Sequence, residues 1–521
     1  MECTPGCSLA TMTHSTNYCA ERDGSGARRI KFSRACRHGG VAGALAVSVL
    51  LLAGCVVAPN YRTPAPSKKP AYLRFAPAQC LNPGMDEPAQ CLVRGKTIPR
   101  FWWRLFHSKP LDRIVRMALS GSPTLVAARE RLAAAEEAIR AASGGYYPQL
   151  DAFAYAEREK GPAFATGLLH PRNVPTYDLY SVGPTVSFVP DVFGLTTRQV
   201  QEQSALAVQQ ADEVEAAQLA VTGNVVTQVF TLALLRAQLV AINVVVADDE
   251  KILALVRQRY ALGKVDGTAV ALAQAKLARD QVPVPLLKQR ISTSTDALTV
   301  LVGRSPGEWQ PPRITLDALT LPSELPLSLP SALVRQRPDI QAAQAELHAA
   351  GAAVGVATAR LYPTFTLSAT LAPTALTPAA LFDGPNLVWN LLSGITEPLF
   401  HGGTLHAKKR AAIDQFHVAL AVYRQTLLEA FRQVANTLQA LAHDSEYARN
   451  ERRALVATHQ AWVLERIRYA AGKVNLLQPL EIQRRYELSR VSYVQARAAR
   501  YLDSAELLVA LGGGFQGKTV R

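Results

Sequence analysis

Arg259-Tyr260-Ala261-Leu262-Gly263-Lys264-Val265 returns as Arg468-Tyr469-Ala470-Ala471-Gly472-Lys473-Val474, about 209 residues further along the chain. The same offset carries Gln274 onto Gln483, and Leu298-Thr299-Val300 before Gly303 onto Leu507-Leu508-Val509 before Gly512. Upstream, Ser122-Pro123-Thr124-Leu125-Val126-Ala127-Ala128 leads to Tyr147-Pro148. About 215 residues later, Arg337-Pro338-Asp339-Ile340-Gln341-Ala342-Ala343 leads to Tyr362-Pro363. An offset held over such lengths marks a duplicated structural unit, and its period is far longer than a solenoid repeat. The chain reads as one half doubled, with repeat 1 over 101–321 and repeat 2 over 322–513.

Before the first quoted stretch, about Thr197 to Leu262 contains no proline. Val221, Val225, Leu232, Leu235, Leu239, Ile242, Val246, Leu253, Val256 and Tyr260 form an apolar stripe at steps of three and four, with Gln228 and Asp249 as its polar members. That spacing belongs to helices packed as coiled coils. Some 65 residues of helix reach roughly 100 Å. The second half repeats the pattern from about Thr404 to Ala470. Gly263 and Gly472 end both helices as C-cap glycines. Return helices are expected over about 267–302 and 476–511, the first broken at Pro283 and Pro285.

Between the halves' first helices and their long ones, the period changes. An alanine-rich helix over 122–146 ends at Gly144-Gly145. Strands are expected at Leu150–Tyr155 and Tyr180–Phe188, then at Thr364–Leu371 and Leu387–Leu392. Gly/Pro-rich connections, roughly 160–177 and 372–386, join each pair.

The N-terminus carries Arg28, Arg29, Lys31, Arg34 and Arg37, then an apolar run from Val41 to Leu52 that ends in Leu52-Ala53-Gly54-Cys55. This reads as a signal peptide over 1–54, because the run is too short to span a bilayer. Six basic and three acidic residues in that leader account for +3 of the formal +15. The remainder reads as charge on wet helix faces, and export argues against nucleic acid as a partner. Of seven cysteines, Cys3, Cys7, Cys19 and Cys36 lie in the leader. Cys80 and Cys91 remain beyond Cys55, and in an oxidising compartment they either pair or stay as exposed thiols. A Pro-rich stretch over 55–100 reads as an irregular tether, and 514–521 as a flexible tail.

Catalytic and cofactor signatures are not found. His401 and His406 flank a glycine turn without an acidic partner nearby. Gly512-Gly513-Gly514 lacks the Lys-Ser/Thr of a phosphate loop. Gly351 and Gly355 read as close helix packing. No Ser/His/Asp or Cys/His signature stands out, so the chain is read as no enzyme, with neither metal nor cofactor.

Taken together, the tandem halves, each with a helix, two strands and a long helical hairpin, resemble the outer-membrane efflux proteins of the TolC/OprM type. The lipobox Leu-Ala-Gly-Cys55 points to their lipoprotein, NodT-like branch. The paired Arg-Tyr-x-x-Gly tips, Arg337-Pro338-Asp339-Ile340, the Tyr-Pro pairs, Asp191-Val192-Phe193-Gly194 and Pro398-Leu399-Phe400 with Gly402-Gly403 carry the resemblance. It implies a mixed α and β fold: a trimeric 12-stranded transmembrane β-barrel, four strands per chain, continued by a long α-helical coiled-coil tunnel. It implies a homotrimer in the cell outer membrane, lipid-anchored at Cys55 and extending into the periplasm. It also implies a periplasmic adaptor and an inner-membrane pump, expected to be proton-driven, as partners. By position, Leu477 and Glu481 would form the periplasmic gate. Arg259, Tyr260, Gly263 and Lys264, with Arg468, Tyr469, Gly472 and Lys473, would meet the adaptor. The implied function is a passive conduit exporting small toxic compounds. A type I protein-secretion channel is the alternative.

Overall fold

A computed structural model of the chain describes residue 72 and residues 79–81, 89–160, 176–328, 330–475 and 477–515. The leader, Cys55 and most of the expected tether therefore lie outside the described residues, as does most of the first strand connection. The C-terminal residues after 515 do as well.

The described chain opens with two short strands, β1 (Cys80–Leu81) and β2 (Gln90–Arg94). Repeat 1 follows as helices α1 (Lys109–Gly121) and α2 (Pro123–Ser143), strands β3 (Gln149–Lys160) and β4 (Thr176–Phe188), and helices α3 (Leu195–Ala261), α4 (Gly267–Gln281) and α5 (Pro283–Leu301). Repeat 2 begins with β5 (Glu324–Leu327) and the helices α6 (Pro330–Gln336) and α7 (Pro338–Ala359). The strands β6 (Thr364–Ala375) and β7 (Leu387–Thr396) and the helices α8 (Thr404–Ala470) and α9 (Leu477–Ala510) complete it.

Both long helices run 67 residues, about 100 Å at the α-helical rise. Along α3 the expected stripe is largely realised. Val221, Val225, Leu232, Leu235, Leu253 and Val256 are buried, with Asp249 among them. Tyr260, in the last turn, departs from it and is 54% exposed. The break expected at Pro283 appears as the boundary between α4 and α5, with Pro283 in the first turn of α5. There a missing N–H is harmless. Pro479 likewise falls in the first turn of α9, where proline is tolerated.

The repeat is visible in close contacts. A Cβ on Gly303 would meet the Gly121 carbonyl oxygen at the end of α1. A Cβ on Gly512 would meet the Gln336 carbonyl oxygen at the end of α6. Both glycines also have positive φ, +76° and +98°, so each return helix ends against its own half's first helix in a way only glycine allows.

One core joins the halves at mid-length. Trp102, Phe106, Phe230 and Leu347 are almost fully buried within it, and Leu508 is 0% exposed. Phe106 meets Phe230 edge-on, centroids 4.8 Å apart. The Pro-rich segment is less irregular than expected. Its β2 strand pairs antiparallel with β1 and parallel with β5. Buried Gln90 donates to Ser504 Oγ at 2.9 Å and accepts from Arg500 at 3.1 Å, which satisfies its amide away from water. Cys80 stands opposite Cys91 and the two are disulfide-bonded, Cα atoms 4.0 Å apart. Closing so short a loop contributes about 3 kcal/mol locally. Mass labelling of unfolded, unreduced protein should find neither thiol reactive, and Cys91→Ser should speed amide exchange in β1 and β2. Two labels in the parent protein would contradict the bond.

The main sheet has the order β3-β4-β6-β7, all antiparallel. Its strands, 10 to 13 residues long, match the length a tilted strand needs to cross a bilayer. Along a single strand the alternation is weak, and the register shows which residues share a face. One face carries Asp151, Ser187, Ser368, Thr370 and Asn390, together with Phe153, Tyr155 and Leu392. The other carries Leu150, Val186, Ala369, Leu371 and Leu391. Among the described residues, the outer strands β3 and β7 have no second neighbour. On β7 both faces are open, with Leu391 74% and its neighbour Leu392, on the opposite face, 60% exposed.

Candidate functional site

Two parts of the molecule are candidates for function: the two-faced sheet and the hairpin tips at the ends of the long helices. The tips turn identically. Gly263 N donates to Tyr260 O at 2.9 Å and Lys264 N to Arg259 O at 2.9 Å. Gly472 N donates to Tyr469 O at 3.0 Å and Lys473 N to Arg468 O at 2.9 Å. Gly263 and Gly472 take φ of +67° and +71°, the left-handed residue that closes such a motif. Asp266 then caps α4, its Oδ1 accepting from Ala269 N at 3.0 Å.

The expected tip residues are not all free. The Arg259 guanidinium lies 4.8 Å over the Tyr469 ring and donates to its hydroxyl. Arg468 pairs with Glu465 on its own helix at 3.0 Å. Tyr260, Lys264 and Lys473 are exposed. Leu477 opens α9, but its side chain lies outside the described residues. Glu481 is exposed and answered within its helix by Arg485 at 3.4 Å and Arg484 at 3.8 Å.

Sequence reasoning missed a buried ion cluster a short way behind the tips. Lys276 on α4 pairs with Asp249 on α3, with Asp280 one turn on at 3.1 Å, and with Glu487 on α9 at 3.4 Å. The three carboxylates lie within 4.8 Å of one another, and the cation among them is the Lys276 ammonium. One Lys cannot satisfy three acids, and Asp249 Oδ2 and Glu487 Oε1 are buried without a partner. Burial raises the Asp249 carboxyl to about 6, with nearby Asp280 adding to the rise, although Lys276 opposes it. Burial likewise raises Glu487 to about 7, against the pull of Lys276. Burial lowers the Lys276 ammonium, but its Asp249 and Glu487 partners outweigh that and the net shift is upward. The one sequence signal was Asp249 breaking an apolar stripe. A second acidic pair ties α8 to α9: Asp503 is pushed up to about 7 by burial and by its hydrogen bond to Asp444.

Comparisons with known proteins fit this geometry. The outer-membrane protein OpmQ of Pseudomonas aeruginosa, named for pyoverdine export, is 31% identical over 445 residues, covering 84% of this chain and 93% of that protein. OprJ of the same species is 28% identical over 487 residues, covering 91% and 96%. Among solved structures, the outer-membrane channel OprN superimposes with a TM-score of 0.78 at 26% identity, covering 89% of this chain and all of that one. The Campylobacter jejuni CmeC channel gives 0.79 at 20% identity, a likeness of fold, over 89% and 96%. The profile of the outer membrane efflux protein family matches residues 114–304 and 329–513, one segment in each half. With both halves matched, the chain belongs to the outer membrane efflux protein family.

Proposed function

We infer that the chain is an outer-membrane efflux channel. We propose that it works as the passive conduit of a tripartite system, a homotrimer whose sheets close one barrel and whose helices continue it as a tunnel. The observation that supports this best is the sheet. Open β edges are not tolerated in lipid, and four strands cannot close on themselves. Three copies joined edge to edge give a barrel of about twelve strands, apolar outside and polar inside. A periplasmic adaptor meets the tips, and an inner-membrane pump, proton-driven, supplies the energy. The relatives' names speak of pyoverdine, toluene, antibiotics and cations, which favours small solutes over a polypeptide cargo.

Deleting the coding sequence should raise cellular accumulation of a fluorescent efflux probe such as ethidium, and restoring it should lower it again. Unchanged accumulation with loss of a secreted protein from the medium would favour type I secretion instead.

Cys55 is proposed as the acylated residue. Cys55→Ser should abolish lipid labelling while leaving trimers in the outer membrane, because the barrel holds them there. Continued labelling would refute this. Leu477 and Glu481, one turn apart on α9, are proposed to narrow the periplasmic mouth. Leu477→Ser with Glu481→Ala should raise single-channel conductance in planar bilayers. Cation preference should fall only modestly, since Arg484 and Arg485 already offset Glu481. Parental conductance would place the constriction elsewhere.

A further inference from the structure

The two tips are alike in sequence and backbone, but not in what they touch. At the first, Arg259 covers Tyr469 within the chain. The mirrored pair is Arg468 and Tyr260, and each presents itself outward. The Arg468 side chain is 57% exposed and makes a same-helix ion pair to Glu465, which is worth little at a surface. Tyr260 is an aromatic ring left 54% exposed.

The same asymmetry appears at the other end of the long helices. Helix α7 is wedged between α3 and α8 and buries a row that includes Ile340, Leu347, Ala352 and Val356. Its counterpart α2 rests chiefly on α3. There it buries only Leu125 and Ala128 and leaves Val126 half exposed. Whatever relation carries repeat 1 onto repeat 2 has, in this chain, nothing for repeat 2 to be carried onto. In a closed ring, repeat 2 is carried onto repeat 1 of the next copy. Applied to the tips, that step turns Arg259 into Arg468 and Tyr469 into Tyr260 of the neighbour. Applied higher up, it lays α2 against the neighbour's α8, where Val418 and Leu428 are exposed.

We propose that Arg468 clasps Tyr260 of a second copy of this chain, as Arg259 clasps Tyr469 within it. Contacts within and between copies then alternate around the mouth of the tunnel. A planar guanidinium over an aromatic face suits a joint that must stay wet and still hold. The repeated Arg-Tyr pair thus ties tip to tip, and Lys264 and Lys473 are left to face an adaptor. This rests on the trimeric reading above.

The test uses the full-length protein in outer-membrane vesicles. Cys80 and Cys91 are tied to each other, so engineered thiols stand out. Tyr260→Cys with Arg468→Cys, treated with a short bis-maleimide, should give a dimer and trimer ladder on denaturing gels. Either single variant should give none. Arg259→Cys with Tyr469→Cys should link internally without a ladder. Native mass of the detergent-extracted variants reads assembly separately. Trimers that give no ladder overturn the clasp, and absence of trimers overturns the assembly reading beneath it.

Discussion

Lys276→Met is expected to loosen the hairpins at neutral pH and to regain its packing in mild acid. The substitution keeps most of the side chain's volume and removes the one cation that, among the described residues, pairs with Asp249, Asp280 and Glu487. Three acids then share a buried seam between α3, α4 and α9 with no counter-charge. Removing one partner of a buried ion pair costs about 3–5 kcal/mol. Protonation relieves it, because Asp249 already sits near 6 and Glu487 near 7 through burial. Both folded-state values lie above the ordinary carboxylate range. The folded seam therefore holds more protons than the unfolded chain between roughly pH 4 and 7, and its stability falls as pH rises through that window. Losing Lys276 extends the fall to higher pH. Amide exchange around 249–256, 273–281 and 483–490 should be faster than parental at pH 7.5 and near parental at pH 5. Adding Glu487→Gln should restore much of the loss at pH 7.5. Equal protection in Lys276→Met and parent at pH 7.5 would mean that the seam does not depend on its cation.

The second large effect is expected in the sheet. Leu391→Arg should prevent stable assembly, while Asn390→Arg, one residue away, should be tolerated. Leu391 shares its face with Ala369, whereas Asn390 is paired with Thr370 on the polar face. An arginine facing lipid at mid-membrane costs about 2–4 kcal/mol, and every copy in a ring bears that cost. On the lumen side the same charge stays in water and changes conductance rather than folding. Urea midpoints of the membrane-embedded protein read both outcomes. Similar loss for the two variants would mean that the faces are not divided between lipid and water.

Much of this fold is legible in the sequence because its signals are long or repeated. A helix of 67 residues with a stripe every three or four positions hardly needs its neighbours to be read, and the 209-residue offset locates the second from the first. The tips were legible as turns because left-handed glycine leaves its mark in sequence. What they touch was not, since Arg259 and Tyr469 lie in different repeats. The sheet's two faces were hidden for a similar reason. Ala152, Ala154 and Ala156 against Phe153 and Tyr155 show little contrast within β3, and only pairing with Pro184, Val182 and Tyr180 reveals the apolar side. The ion cluster draws on Asp249, Lys276 and Glu487 from three helices, so Asp249 alone read as a lapse in the stripe. β2 was obscured by the prolines around it, and its partner β5 begins more than two hundred residues later.

The central claim is that this sheet is one part of a water-filled barrel in the outer membrane. Single cysteines placed along β6 and β7 in intact outer-membrane vesicles test it most directly, with a membrane-impermeant maleimide as probe. The account predicts labelling at Ser368→Cys, Thr370→Cys and Asn390→Cys and shielding at Ala369→Cys, Leu371→Cys and Leu391→Cys. Uniform labelling of all six, or the opposite alternation, would contradict it.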